Sequence, residues 1–156
     1  MSTKTQNHAI MLIVLLAGFL ASSVVMADDL ADVTAANNGF YATLSARDAD
    51  TMAKVYAHDS YVANIEPTHS ELEIGWPGVE KWARSLADSY NRLSVTPSDV
   101  HARVNGNTAW VVVREHATGT LKSGTAFDST LVSTNIYEKQ DGRWLMVSHQ
   151  AQFVPK

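Results

Sequence analysis

Apolar and polar positions change rhythm along the chain. From Asp29 to Arg47 the apolar residues Leu30, Val33, Phe40 and Leu44 recur with Ala36 and Tyr41 beside them, the spacing of one buried helical face. That pattern predicts a helix of about five turns. Asp48 or Asp50 is placed to cap a short second helix carrying Met52, Val55 and Tyr56 on one side. Ser60 to Glu66 is β-prone and stops at Pro67, since proline cannot donate into a sheet ladder. Pro77 suits the first turn of a third helix, whose Val79, Trp82, Ala83, Leu86 and Tyr90 form an i, i+3, i+4 stripe.

After Leu93 the apolar period shortens toward two, the period of a strand. Strands are predicted over Asp99–Val104, Thr108–Thr118, Ala126–Lys139 and Arg143–Phe153, with turns at Asn105-Gly106 and Asp141-Gly142. Helices followed by an antiparallel meander predict an α+β fold, with the helices on one face of a strongly bent sheet. Strict alternation in the last strand places Trp144, Met146, Ser148 and Gln150 on one face, opposite Leu145, Val147, His149 and Ala151; it leaves open which face is concave. Val111 and Val113 oppose Val112, so both faces of that strand are apolar, as in a sheet covered on both sides. A homodimer formed through the outer face is expected from this.

The first 27 residues belong to another pattern. Lys4 precedes an apolar run from Ala9 to Leu20, and Val25-Met26-Ala27 supplies small residues before a cut. Residues 1–27 are therefore expected to be an export signal and 28–156 the mature domain, bound for the periplasm or the medium. The alternative is an uncleaved anchor, because Ala9 to Met26 approaches the length that spans a bilayer. Cleavage leaves 129 of the 156 residues, enough for one core and too few for two. It also removes Lys4 and no acid, taking the formal charge from −4 to −5. A mildly acidic domain without a basic run argues against nucleic acid and, after cleavage, against the membrane as partners. The chain has no cysteine, so its stability rests on packing rather than disulfides.

Four stretches together resemble the nuclear transport factor 2-like superfamily, and within it the SnoaL-like group that includes ketosteroid-isomerase homologues. They are Phe40-Tyr41-Ala42-Thr43-Leu44-Ser45-Ala46-Arg47-Asp48, Val55-Tyr56-Ala57-His58-Asp59, Gly75-Trp76-Pro77-Gly78-Val79-Glu80-Lys81-Trp82, and the hairpin from Asn135 to Gln150. The resemblance covers about residues 30 to 153. It implies a cone: a bent sheet of about five or six strands wrapped around a long helix, open at one end, with a pocket between sheet and helices. It does not fix function, because the superfamily holds isomerases, cyclases and hydrolases as well as binding and assembly modules.

In the isomerase branch the resemblance implies a carboxylate base on the first strand and acidic donors, one of them a first-helix tyrosine. An ungapped match from Asp48 through Tyr56 puts Phe40 in the tyrosine's place and Asn64 in the base's place. Neither performs that chemistry. Tyr41 is adjacent to the first, and Glu66 lies two residues beyond the second on the same strand face and directly before Pro67. Glu66 and His149 are accordingly the candidate catalytic pair. Tyr61, Asn64, Trp76, Arg114, His116 and Asn135 are candidate pocket residues, with Glu66 or Asp128 as acid partner for a buried Arg114. Arg114 on an exposed surface is the competing reading, as arginine is mostly exposed. His69, His116 and His149 fall on separate elements without ligand spacing or cysteine, so no metal and no cofactor is expected.

Three functions follow from these residues. The first is an exported domain that binds a small apolar molecule in the cone. The second is an acid–base enzyme acting on a carbonyl compound, with Glu66 or His149 as base and Tyr61, Asn64 or Asn135 as donors. The third is a homodimeric interaction module with a vestigial pocket.

Overall fold

A computed structural model describes residues 28–69 and 71–154; the expected export signal at 1–27 lies outside these residues. The first helix, α1, spans 28–46. It ends where Arg47 turns to φ 56°, and the Asp48 carboxylate then accepts the Asp50 and Thr51 amides to cap α2, Ala49–Met52. Two short strands follow, β1 (Ala63–Ile65) and β2 (Glu73–Ile74). Next comes α3 (Trp76–Ser89), which has Pro77 in its first turn and buries Val79, Trp82, Ala83 and Leu86. Four long strands complete the chain: β3 (Tyr90–Asn105), β4 (Thr108–Leu121), β5 (Ala126–Gln140) and β6 (Arg143–Phe153).

The six strands form one sheet in the order β2-β1-β6-β5-β4-β3. All pairings are antiparallel except β1 with β6, which is parallel and sets Asn64 beside His149. The fold is thus the expected α+β arrangement of a bent sheet and N-terminal helices. The buried stripe of α1 (Val33, Asn37, Phe40, Tyr41, Leu44) packs into the concave face. Leu30, expected on that stripe, is exposed.

Tyr90 is the first residue of a strand rather than the last of a helical stripe. Its backbone is extended, it pairs with Leu121, and its ring meets Phe127 edge-on at 5.8 Å between centroids. Pro97 lies inside β3, which is tolerated because β3 is an edge strand. A bulge follows between Ser98 and His101, where Asp99 takes φ 49° and bends the strand. The Asp141-Gly142 turn has positive φ at both positions, 49° and 77°, as a tight hairpin requires. Gly119 is required for a different reason: a Cβ there would stand 2.2 Å from the Arg92 carbonyl oxygen and 2.7 Å from the Phe127 ring.

The alternation expected in β6 fails at one residue. Ile136 pairs with Ser148 and Tyr137 with Met146, so Val147 is a bulge without a partner. Downstream of it the faces exchange. The inward set is consequently Trp144, Met146, His149 and Ala151, with the bulged Val147 also buried, while Gln150 is exposed.

Candidate functional site

Side chains of β4 alternate cleanly: Ala109, Val111, Val113, Glu115 and Ala117 point into the concave face, and Trp110, Val112, Arg114 and His116 point out. Glu115 is the charged member of the inner row, and it is 3 % exposed. Its Oε1 accepts hydrogen bonds from the Tyr41 hydroxyl at 2.7 Å and from the Ser133 hydroxyl. Ser133 lies opposite Val113 on β5, so its contact with Glu115 is a diagonal cross-strand pair. Oε2 has no hydrogen-bond partner among the described residues, and Glu115 lines a cavity of about 230 Å³ between the sheet and α3.

A polar chain continues from Tyr41 into the interior. Asn37 and Tyr41 stand one helical turn apart on α1 and face the inner side of β5. The Asn135 amide donates to Asn37 Oδ1 at 2.8 Å and to the Tyr41 hydroxyl at 3.1 Å, and Tyr137 donates to Asn37 Oδ1 at 3.2 Å. With its N–H groups so used, Asn135 turns Oδ1 to His149 Nδ1 at 2.6 Å. His149 Nδ1 therefore carries a proton and donates. On the other side of the ring, Nε2 stands 3.5 Å from Glu66 Oε1. A second proton on Nε2 makes this a favourable imidazolium–carboxylate contact.

The electrostatics agree with that assignment. Burial by itself disfavours a charged His149, but the hydrogen bond and charge of Glu66, with a smaller contribution from Glu115, raise its pKa above the ordinary value of 6.5. Burial, reinforced by the Glu115 charge, pushes the Tyr41 hydroxyl well above its ordinary range. Tyr41 thus keeps its proton and remains a hydrogen-bond donor to Glu115.

Glu66 sits just past the end of β1 and forms part of the cavity wall, with His149 buried behind it. The rest of the wall is largely apolar. It includes Leu44 from α1, Trp82 and Leu86 from α3, and Leu93, Phe127 and Leu131 from the sheet.

The other expected pocket residues lie elsewhere. Arg114 and His116 project from the outer face and pair with Asp99 at 3.4 Å and Asp128 at 2.9 Å. Arg114 is therefore an exposed arginine, and neither residue reaches the cavity. Tyr61 is exposed and donates to Glu138 at 2.7 Å. Trp76 stacks on His58 at 4.0 Å between centroids, away from the cavity wall. Asn64 is fully buried, accepts from Tyr56 at 3.1 Å and leaves Nδ2 without a partner. Asn135 lies behind the wall, within the network. His69, at the cavity mouth, is held by Glu73 at 2.8 Å and lies apart from His116 and His149. Among the described residues no group of three histidines, cysteines or acids is arranged to hold a metal ion.

Glu115, Asn37 and Ser133 escape a sequence reading because each is a polar residue at an inward position of an apolar pattern. The available signal was that Asn37 falls four residues after Val33 and four before Tyr41, on the buried stripe of α1.

Comparison with known proteins follows this geometry. The model of the SnoaL-like domain family matches residues 33–155. No curated protein matches the chain. Among solved structures, a candidate dehydratase of the NTF2-like family from Streptomyces avermitilis superposes with a TM-score of 0.74 at 22 % identity, over 83 % of this chain and 99 % of that one. An NTF2-like superfamily protein from Salmonella enterica gives 0.75 at 16 % identity, over 86 % and 94 %. A candidate calcium/calmodulin-dependent protein kinase type II association domain from Thiobacillus denitrificans gives 0.67 at 30 % identity, over 78 % and 94 %. The family match runs from the first buried turn of α1 past the end of β6, across every element that builds the cavity, and the chain belongs to the SnoaL-like domain family of the NTF2-like superfamily.

Proposed function

We propose that this domain binds a small, predominantly apolar molecule in the cavity between its sheet and α3. One observation carries the reading: a space of about 230 Å³ has apolar and aromatic walls with Glu66 and Glu115 as its acidic residues, the composition of a small-molecule site. A vestigial pocket would be filled by its own side chains, and this one is open. Native mass spectrometry of the protein isolated from its own source, followed by extraction, tests the proposal. A retained compound of low molecular mass is expected; repeated recovery of empty protein would count against it.

A second reading, acid–base catalysis, is favoured by the contact of Glu66 with a charged, buried His149 that Asn135 orients. Glu66 at the wall would take a proton from a bound acid while the His149 imidazolium steadies the carboxylate. The donors that a developing oxyanion requires are poorly represented there. Tyr61 faces solvent, and the Asn135 N–H groups are occupied by Asn37 and Tyr41. The enzymatic reading thus rests on Glu66 and His149. Turnover abolished in Glu66→Gln with ligand affinity kept would support it; equal turnover would remove it.

Export from Asp28 onward and a homodimer through the outer face belong to the same proposal. The dimer is supported by the exposed Trp110 and Val112 on β4. Light scattering at micromolar concentration checks it, a strictly monomeric mass being the adverse result.

A further inference from the structure

We infer that the ligand of this cavity carries one cationic nitrogen on an apolar body, with Glu115 as its counter-charge. The inference rests on the cavity being a binding site and goes beyond it to the ligand's chemistry.

The charges around the cavity do not cancel. Glu66 has its cation in His149. Glu115 is buried and has only neutral hydroxyl partners, Tyr41 and Ser133, both on Oε1. Two donors converging on one oxygen suit a carboxylate, which accepts only. Among the described residues no lysine or arginine lines the cavity, and the histidine at its mouth, His69, is engaged by Glu73. A buried carboxylate with no cation bonded to it is costly, and the free Oε2 is the position at which a cation from outside would relieve that cost. An ammonium group donates the charge-assisted hydrogen bond that Oε2 lacks.

The surroundings match the rest of such a molecule. Tyr90 and Phe127 lie edge-on to each other on the wall, and Gly119 leaves the space in which the Phe127 ring rests. Aromatic faces accept both an apolar skeleton and the neighbourhood of a cation. An anionic ligand would meet two carboxylates and, among the described residues, no lining lysine or arginine.

Isothermal titration calorimetry with three matched probes tests this: 2-phenylethylamine, 2-phenylethanol and 3-phenylpropanoate. The amine is expected to bind about tenfold or more tighter than the alcohol, the scale of one charge-assisted contact, and the carboxylate to bind weakest. In Glu115→Gln, which keeps an acceptor for Tyr41 and Ser133, the preference for amine over alcohol should collapse. Asp128→Asn, on the outer face, should leave it intact. The ranking in the unsubstituted protein stands as a test even if Glu115→Gln does not fold. Alcohol binding as tightly as amine overturns the cationic ligand and leaves the cavity reading in place. Absence of binding by all three probes, together with an empty extract, overturns both.

Discussion

The interior of the cone has two unlike ends, and β4 runs through both. At one end Ala109, Val111 and Val113 pack under α1 with Tyr137 and Met146, and the buried polar groups are linked to one another, with Asn37 Nδ2 and Asn64 Nδ2 left over. There Asp29 accepts Lys139 Nζ at 2.5 Å and Trp144 Nε1 at 3.3 Å, tying the start of α1 to the last hairpin. At the other end Ala117 and Leu121 face a cavity. Glu115 stands at the seam. The closed end shows what the sheet does when its curvature is filled by a helix: side chains interlock and most hydrogen bonds close. The open end has the same strands with less helix over them, and the groups left over there (a carboxylate oxygen, aromatic edges) are those available to a ligand.

That contrast predicts unequal responses to substitution. The largest effect belongs to the closed end, where Met146→Ala should cost about 2–5 kcal/mol by the scale of buried large-to-small changes, measured by urea unfolding. Leu86→Ala on the cavity wall should cost less, because its surroundings are already partly empty. Equal losses would erase the distinction between the ends.

At the seam, Tyr41→Phe removes one of two donors from the buried Glu115 carboxylate, and should cost about 1–3 kcal/mol. A loss below this range would mean that Glu115 finds another partner.

The third prediction concerns pH. The folded His149 ring holds its proton more tightly than an unfolded histidine does, because its pKa is raised above 6.5. Its contribution to stability is then complete below that value and is lost as pH rises through the folded pKa. The unsubstituted protein should lose stability relative to His149→Gln as pH rises above about 6.5 and through the raised folded pKa. Parallel curves for the two proteins would show that the ring does not carry a proton inside.

The smallest effect is expected outside the cone. Arg114→Ala breaks an exposed ion pair with Asp99 and should change stability by less than about 0.5 kcal/mol. It should also leave ligand affinity unchanged, whereas a loss of binding would return Arg114 to the site.

Much of the architecture was legible because it depends on period and punctuation. The stripe from Val33 to Leu44, Pro77 at the start of α3 and the Asp141-Gly142 turn each impose a local geometry that the fold keeps. The site was less legible because it depends on which face is inward. Val111, Val112 and Val113 make β4 apolar on both sides, so alternation alone grouped Arg114 with His116 as readily as Glu115 with Ala117. Only closure of the sheet around α1 chooses the Glu115 face. Tyr90 shows the same limit at a boundary, since its place on a helical stripe yielded to pairing with Leu121. β2 is two residues long, too short for any periodic signal.

Val147, the unpaired residue in β6, works as a phase shift in the chain's two-residue rhythm. Without that bulge, strict alternation of the same residues would turn Ser148 and Gln150 inward and His149 to solvent. Glu66 would then lose the cation behind it without any substitution of either partner. The charge pattern of the interior is thus stored in the single extra residue between Met146 and Ser148, and inserting one more residue after Val147 would rewrite it while every side chain in the site kept its identity.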